Sequence, residues 1–191
     1  MSDPDLSQRI HDFWFGEEGG EVFGTSRVEW FKKDEAFDEA IRAAFLDDVE
    51  AAIAGERDVL GDRSAHDCLA LLILLDQFPR NLFRGQAKAF SGDERARKLV
   101  DHAIDKGFDI QTPLLQRLFF YLPLEHSENL ADQNRCVDFI AALNSGDLLQ
   151  YAHAHRDIIA RFGRFPHRNA SLGRNSTAEE LAFLETPDSS F

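Results

Sequence analysis

Cysteine is scarce, and the two present, Cys68 and Cys136, each lie inside an apolar run. That excludes a disulfide framework and a multi-cysteine metal centre, and it fits a reducing compartment. The N-terminal stretch carries Asp3 and Asp5 where a secretory leader has basic residues, and no apolar run approaches the ~18 residues of a membrane span. A cytoplasmic protein without membrane contact is expected. Positive charge is also in deficit, with 21 Lys and Arg against 34 Asp and Glu and a net charge of -13. A surface of that sign repels phosphate backbones and anionic lipid, so nucleic acid is excluded as a general partner.

Several catalytic signatures are missing as well. There is no Walker loop, dinucleotide glycine fingerprint or nucleophile elbow. His155-Arg156-Asp157 resembles the kinase catalytic triplet but lacks every other kinase element. No Glu-x-x-His pair of the di-iron type occurs, and the imidazoles of His153 and His155 face different ways on a helix. Neither a cofactor nor a metal is expected.

Alternating β-branched strand patterns are almost absent, whereas helical periodicity recurs throughout. The fold class is therefore all-α, one helical domain over residues 1–191, as stacked antiparallel helix pairs or an irregular bundle. Asp3 and Pro4 suit a helix start before Leu6, Ile10 and Phe13. Phe37, Ile41, Phe45 and Val49 keep one face from Asp34 to Ala54, with Gly55 as a left-handed stop. A leucine-rich helix from Ser64 is apolar nearly all round, which makes it central, and it is expected to end before Pro79. Ser91 with Glu94 and Ser176 with Glu179 have capping-box spacing. Thr112 and Pro113 open a helix leading to Pro123, while Ser127 and Asp147 suit N-caps.

Three segments combine polar groups with apolar neighbours in ways a solvated surface does not require. The first runs from Asp76 to Gly85. Asp76 falls in a last helical turn, where the dipole disfavours a carboxylate, so it calls for a cation or donor, with Arg80 and Arg84 nearest and Asn81 between them. The second, Tyr121 to Gln133, places Glu125 and Glu128 on either side of His126. A carboxylate beside an imidazole orients it and raises its basicity. The third runs from His153 to Asn169, where His155 shares a face with Leu148, Ala152, Ile159 and Phe162 and points inward. The stretch from Arg156 to Arg174 holds five arginines, Arg156, Arg161, Arg164, Arg168 and Arg174, against the single acid Asp157, with His167 and Asn169 among them. Clustered guanidinium groups repel unless anions lie between them. Phe78-Pro79-Arg80 and Phe165-Pro166-His167 look alike, which suggests two polar loops on one rim.

Phe13-Trp14-Phe15-Gly16, Trp30-Phe31, Asp76 through Arg84, Tyr121 through Glu128, and His155 through Gly173 together resemble the bacterial family of unknown function numbered 924. The resemblance covers nearly the whole chain. It implies a fold similar to the tetratricopeptide-repeat α-superhelix and implies no activity.

Three functions remain open. One is a binding or scaffold module whose arginine- and histidine-rich pocket takes a small anion, a carboxylate or an acidic peptide. Another is a small enzyme in which His126 or His155 is general acid or base and arginines stabilise an anionic intermediate. The third is a satisfied buried network that fixes helix register. Oligomeric state is left open by the sequence.

Overall fold

The computed structural model describes residues 6–187 and 189, and every regular element among them is helical. The expected start at Asp3 and Pro4 lies outside the described residues. The helices are α1 Leu6–Phe15, α2 Glu35–Ala54, α3 Leu60–Arg63, α4 Ala65–Leu72, α5 Phe78–Leu82, α6 Asp93–Asp105, α7 Leu114–Glu125, α8 Leu130–Ala142, α9 Gly146–Phe162 and α10 Ala178–Leu184. Successive helices pack on one another from α6 to α9, while α4 touches α1, α3, α6 and α7 from the middle. None of the described helices is long and apolar enough to cross a membrane.

The central place of α4 follows from its composition. Residues Cys68 to Leu75 are all buried, with no polar face to offer solvent. Around them Trp14, Phe15, Trp30 and Phe119 meet mostly edge to face, with ring centres 4.9–6.1 Å apart. These rings bury large area at low entropy cost and tie α1 to α7. A smaller apolar cluster of Ile158, Ile159 and Phe165, with Phe162 and Phe183 against it, joins α9 to α10.

Helix α2 has the boundaries its sequence suggests, with Asp34 accepting from Phe37 N–H at 2.9 Å and Gly55 left-handed at φ 90°. Ser64 likewise caps α4. Other caps are displaced. Thr177 and Glu180, one residue beyond Ser176 and Glu179, form the capping box of α10. Asn129 rather than Ser127 caps α8. Gly92 precedes α6, with Ser91 turned back to the Lys88 carbonyl. Ser145, not Asp147, stands at the cap position of α9. Each shift exchanges one short polar side chain for a neighbour of the same capping chemistry or for none, so the pattern locates a helix start only to within a turn.

The prolines depart from expectation more consequentially. The leucine-rich helix does not stop before Pro79. It widens into a π-helical turn, Ile73–Gln77, where Phe78 N–H donates to Ile73 O five residues back, and then continues as α5 through Pro79. Helix α7 similarly runs through Pro123 to Glu125. Burial of the flanking apolar residues offsets one missing main-chain bond at each proline. A Cβ on Gly92 would lie 2.1 Å from the Leu75 carbonyl oxygen, which the missing Pro79 N–H leaves without its usual helical donor. Gly92→Ala is therefore expected to push α6 off the π-turn and cost about 1–3 kcal/mol in equilibrium unfolding. An unchanged denaturation midpoint would show that this approach is not tight.

Candidate functional site

The π-turn aims Asp76 into the interior, where it is 1% exposed. Both carboxylate oxygens sit by His126 Nδ1, at 2.8 and 2.9 Å. Gln77 Nε2 donates to the same carboxylate at 2.5 Å, and Arg80 Nη1 stands 3.2 Å away. Burial pushes the Asp76 carboxyl up, but Arg80, His126 and these hydrogen bonds outweigh it and hold it down at about 2. The carboxylate is thus ionised in the folded protein. His126 is held below the ordinary imidazole range, because burial and the charges of Arg80 and Arg168 outweigh Asp76.

Arg80 spans two helices. Its Nη1 donates to the Asp76 carbonyl at 2.6 Å, and its two terminal nitrogens reach Asp93 of α6 at 2.9 and 3.0 Å. Arg168, 6% exposed, lies on the other side of Asp93 at 3.7 Å and donates to the His126 carbonyl at 2.9 Å. Its guanidinium stands 4.7 Å from the ring centre of Phe90 and 4.4 Å from that of Phe165. Arg80 also faces Phe90, at 5.8 Å. The two Phe-Pro segments differ in conformation, one helical and one a 3-10 turn at Pro166–Arg168, yet Arg80 and Arg168 meet at Phe90 and Asp93.

Residues 10–188 match the model of the family described as bacterial protein of unknown function, DUF924. The chain belongs to that family. A solved structure of a protein of unknown function from Agrobacterium tumefaciens is 44% identical over 94% of this chain and 97% of that one, with a TM-score of 0.84. No curated protein matches.

Behind the Asp76–His126 pair of this DUF924 chain lies a second, nearly dry pair. Glu125 and His155 approach to 3.7 Å, and His155 Nδ1 is 2.9 Å from the Tyr151 carbonyl. Burial, with Asp76 adding, pushes the Glu125 carboxyl up to about 8. Burial also drives His155 down to about 3, helped by His126, Arg168 and His167. His167 falls to about 4 for the same first reason, with Arg168 next. Near neutral pH the inner layer is therefore two uncharged imidazoles and a protonated carboxyl behind one ionised carboxylate.

The remaining candidates pair elsewhere. Glu128 accepts the Phe165 N–H at 2.8 Å and pairs with Arg174 at 2.6 Å, tying the α7–α8 turn to the 3-10 turn. Arg164 forks onto Glu180 at 2.6 and 2.8 Å, with Asn169 Nδ2 3.4 Å from the same carboxylate. Arg156 pairs with Asp157 on the surface of α9. Asn81 and Arg84 turn away to Asp38 of α2, at 2.7 and 2.6 Å, in a cleft of about 250 Å³ shared with Lys33 and Arg42. Sequence reading missed Asp93, Asp38 and Glu180, each of which reads locally as a first-turn acid. Only their partners, 13 to 46 residues away, distinguish them.

Proposed function

We propose that this site is a general base acting on a small molecule, with His126 Nε2 as the proton-accepting atom. The observation that carries the reading is the Asp76–His126 hydrogen bond. An ionised carboxylate only accepts, so the Nδ1 it faces carries the ring proton and Nε2 keeps the lone pair. Nε2 makes no hydrogen bond among the described residues, and the side chain retains 17% exposure. When Nε2 takes a proton, the new imidazolium is an ion pair with Asp76, which offsets part of the cost of its burial. Arg80 and Arg168, whose charges act on His126, would stabilise negative charge on a molecule that has lost its proton there.

The pairing of Arg80, Arg84, Arg164 and Arg174 with carboxylates at 2.6–3.0 Å favours a second reading, in which the network only fixes helix register. Two measurements separate them. In nitrogen-labelled protein near neutral pH, His126 is expected to show a protonated Nδ1 and an unprotonated Nε2. Diethyl pyrocarbonate is expected to modify His126 faster than buried His155, and more slowly once Asp76→Asn removes the carboxylate. An unreactive His126, or the opposite tautomer, would leave the structural reading in place.

A further inference from the structure

Arg168 is the cation of this network whose charge is least answered. Its nearest carboxylate, Asp93, stands at 3.7 Å and is already forked onto Arg80 at 2.9 and 3.0 Å. Its Nε is buried with no hydrogen-bond acceptor among the described residues. Phe90 and Phe165 lie near the guanidinium, and aromatic faces are better neighbours for a cation than aliphatic ones but do not neutralise it. The groups whose charges act on or are felt from His126 are Asp76 from the π-turn, Arg80 from α5, His155 from α9, and His167 and Arg168 from the 3-10 turn, with Glu125 next to it in α7. Asp76 is the anion among them near neutral pH, against Arg80 and Arg168, with Asp93 of α6 shared between those two arginines and Glu128 acting on Arg168 from the α7–α8 turn.

We infer that Arg168 anchors one oxyanion, a carboxylate or a phosphoryl group, of the molecule on which His126 acts, and that its binding makes His126 Nε2 a stronger base. The inference rests on the reading of His126 as the proton acceptor and adds the class of substrate. The coupling is electrostatic. Arg168 opposes a second proton on His126. An anion that neutralises Arg168 removes that opposition, so Nε2 takes a proton more readily, from the molecule itself where it has one to give and from solvent where the anion is a probe that has none. Linkage is reciprocal, so protonated His126 must bind the anion more tightly.

Sulfate and acetate serve as probes because both are fully ionised from about pH 6 to pH 8. Calorimetric titration in two buffers of different ionisation enthalpy reads affinity and proton uptake together. The expected result is binding with uptake of about one proton, tightening by about tenfold for each pH unit lowered. Binding of sulfate alone points to a phosphoryl-type group, and of acetate alone to a carboxylate. Arg168→Gln is expected to weaken binding by about tenfold or more, and His126→Gln to remove its pH dependence. Because Arg168 is buried, the His126 ring signals of the parent protein give a readout that needs no substitution. They should move toward the doubly protonated form as the probe is added. If neither probe shifts them, or if Arg168→Gln binds as the parent does, the anchor is refuted. If the Nδ1–H tautomer and Nε2 reactivity persist in that case, the general-base reading survives without it.

Discussion

Asp76→Ala is expected to lower unfolding stability by about 3–5 kcal/mol, the cost of removing one partner from a buried, hydrogen-bonded ionic set. The substitution leaves three donors short at once. His126 Nδ1 and Gln77 Nε2 lose their acceptor, and Arg80 keeps Asp93 but loses the more deeply buried charge. Part of this loss depends on pH in a fixed direction. The folded carboxyl lies at about 2 against 3.8 for the free group. A depressed folded value means stability that is present above about pH 4 and is lost as pH falls through about 2. That shift corresponds to roughly 2 kcal/mol. The gap between parent and Asp76→Ala in denaturant titrations should therefore be widest near neutral pH and narrow below pH 4. A loss under about 1 kcal/mol with an unchanged denaturant slope would show that the network is not held together by this carboxylate.

The helical class and the central leucine helix were legible because they rest on local periodicity, which needs no partner. The site was legible only in part, for a physical reason that Asp76 illustrates. A carboxylate in a C-terminal turn is unfavourable by itself, so its sequence position already announces a partner. Which cation or donor answers it is set by the fold, since His126 is 50 residues away and Asp93 reaches the same arginine from α6. Asp93 gave no warning because an acid in a first helical turn satisfies the dipole and needs nothing further. Arg84 and Asn81 misled for the complementary reason. Adjacency to Arg80 suggested a shared site, but Asn81 is turned by about 100° from Arg80 on α5 and Arg84 lies beyond the end of that helix, so both meet Asp38 of α2. The prolines were read as stops because the local rule omits burial. At Pro79 the widened turn that results is what carries Asp76 inward.

Glu125 makes the opposite prediction from Asp76. With a folded carboxyl near 8 against 4.5 for the free group, it must hold a proton in the native state at pH 7 that the unfolded chain releases. Holding it costs roughly 3 kcal/mol at that pH. A raised folded value means stability that is full below about pH 4.5 and declines as pH rises through about 8. Glu125→Gln keeps the shape, is neutral at every pH and escapes this penalty, so it is expected to stabilise the protein by up to about 3 kcal/mol at pH 7. The gain should vanish near pH 4 and grow steadily to pH 8. A gain that does not vary with pH would mean that Glu125 holds its proton no more tightly in the fold than in the unfolded chain. The same variant also tests how the two layers of the site divide their protons. Glu125 is raised partly by Asp76, so the carboxylate bonded to His126 keeps its charge while the other remains neutral. With glutamine at 125 the His126 ring should retain its protonated Nδ1 and free Nε2. If it changed tautomer, the buried carboxyl would be sharing its proton with the imidazole, and the base would be the pair rather than His126 alone.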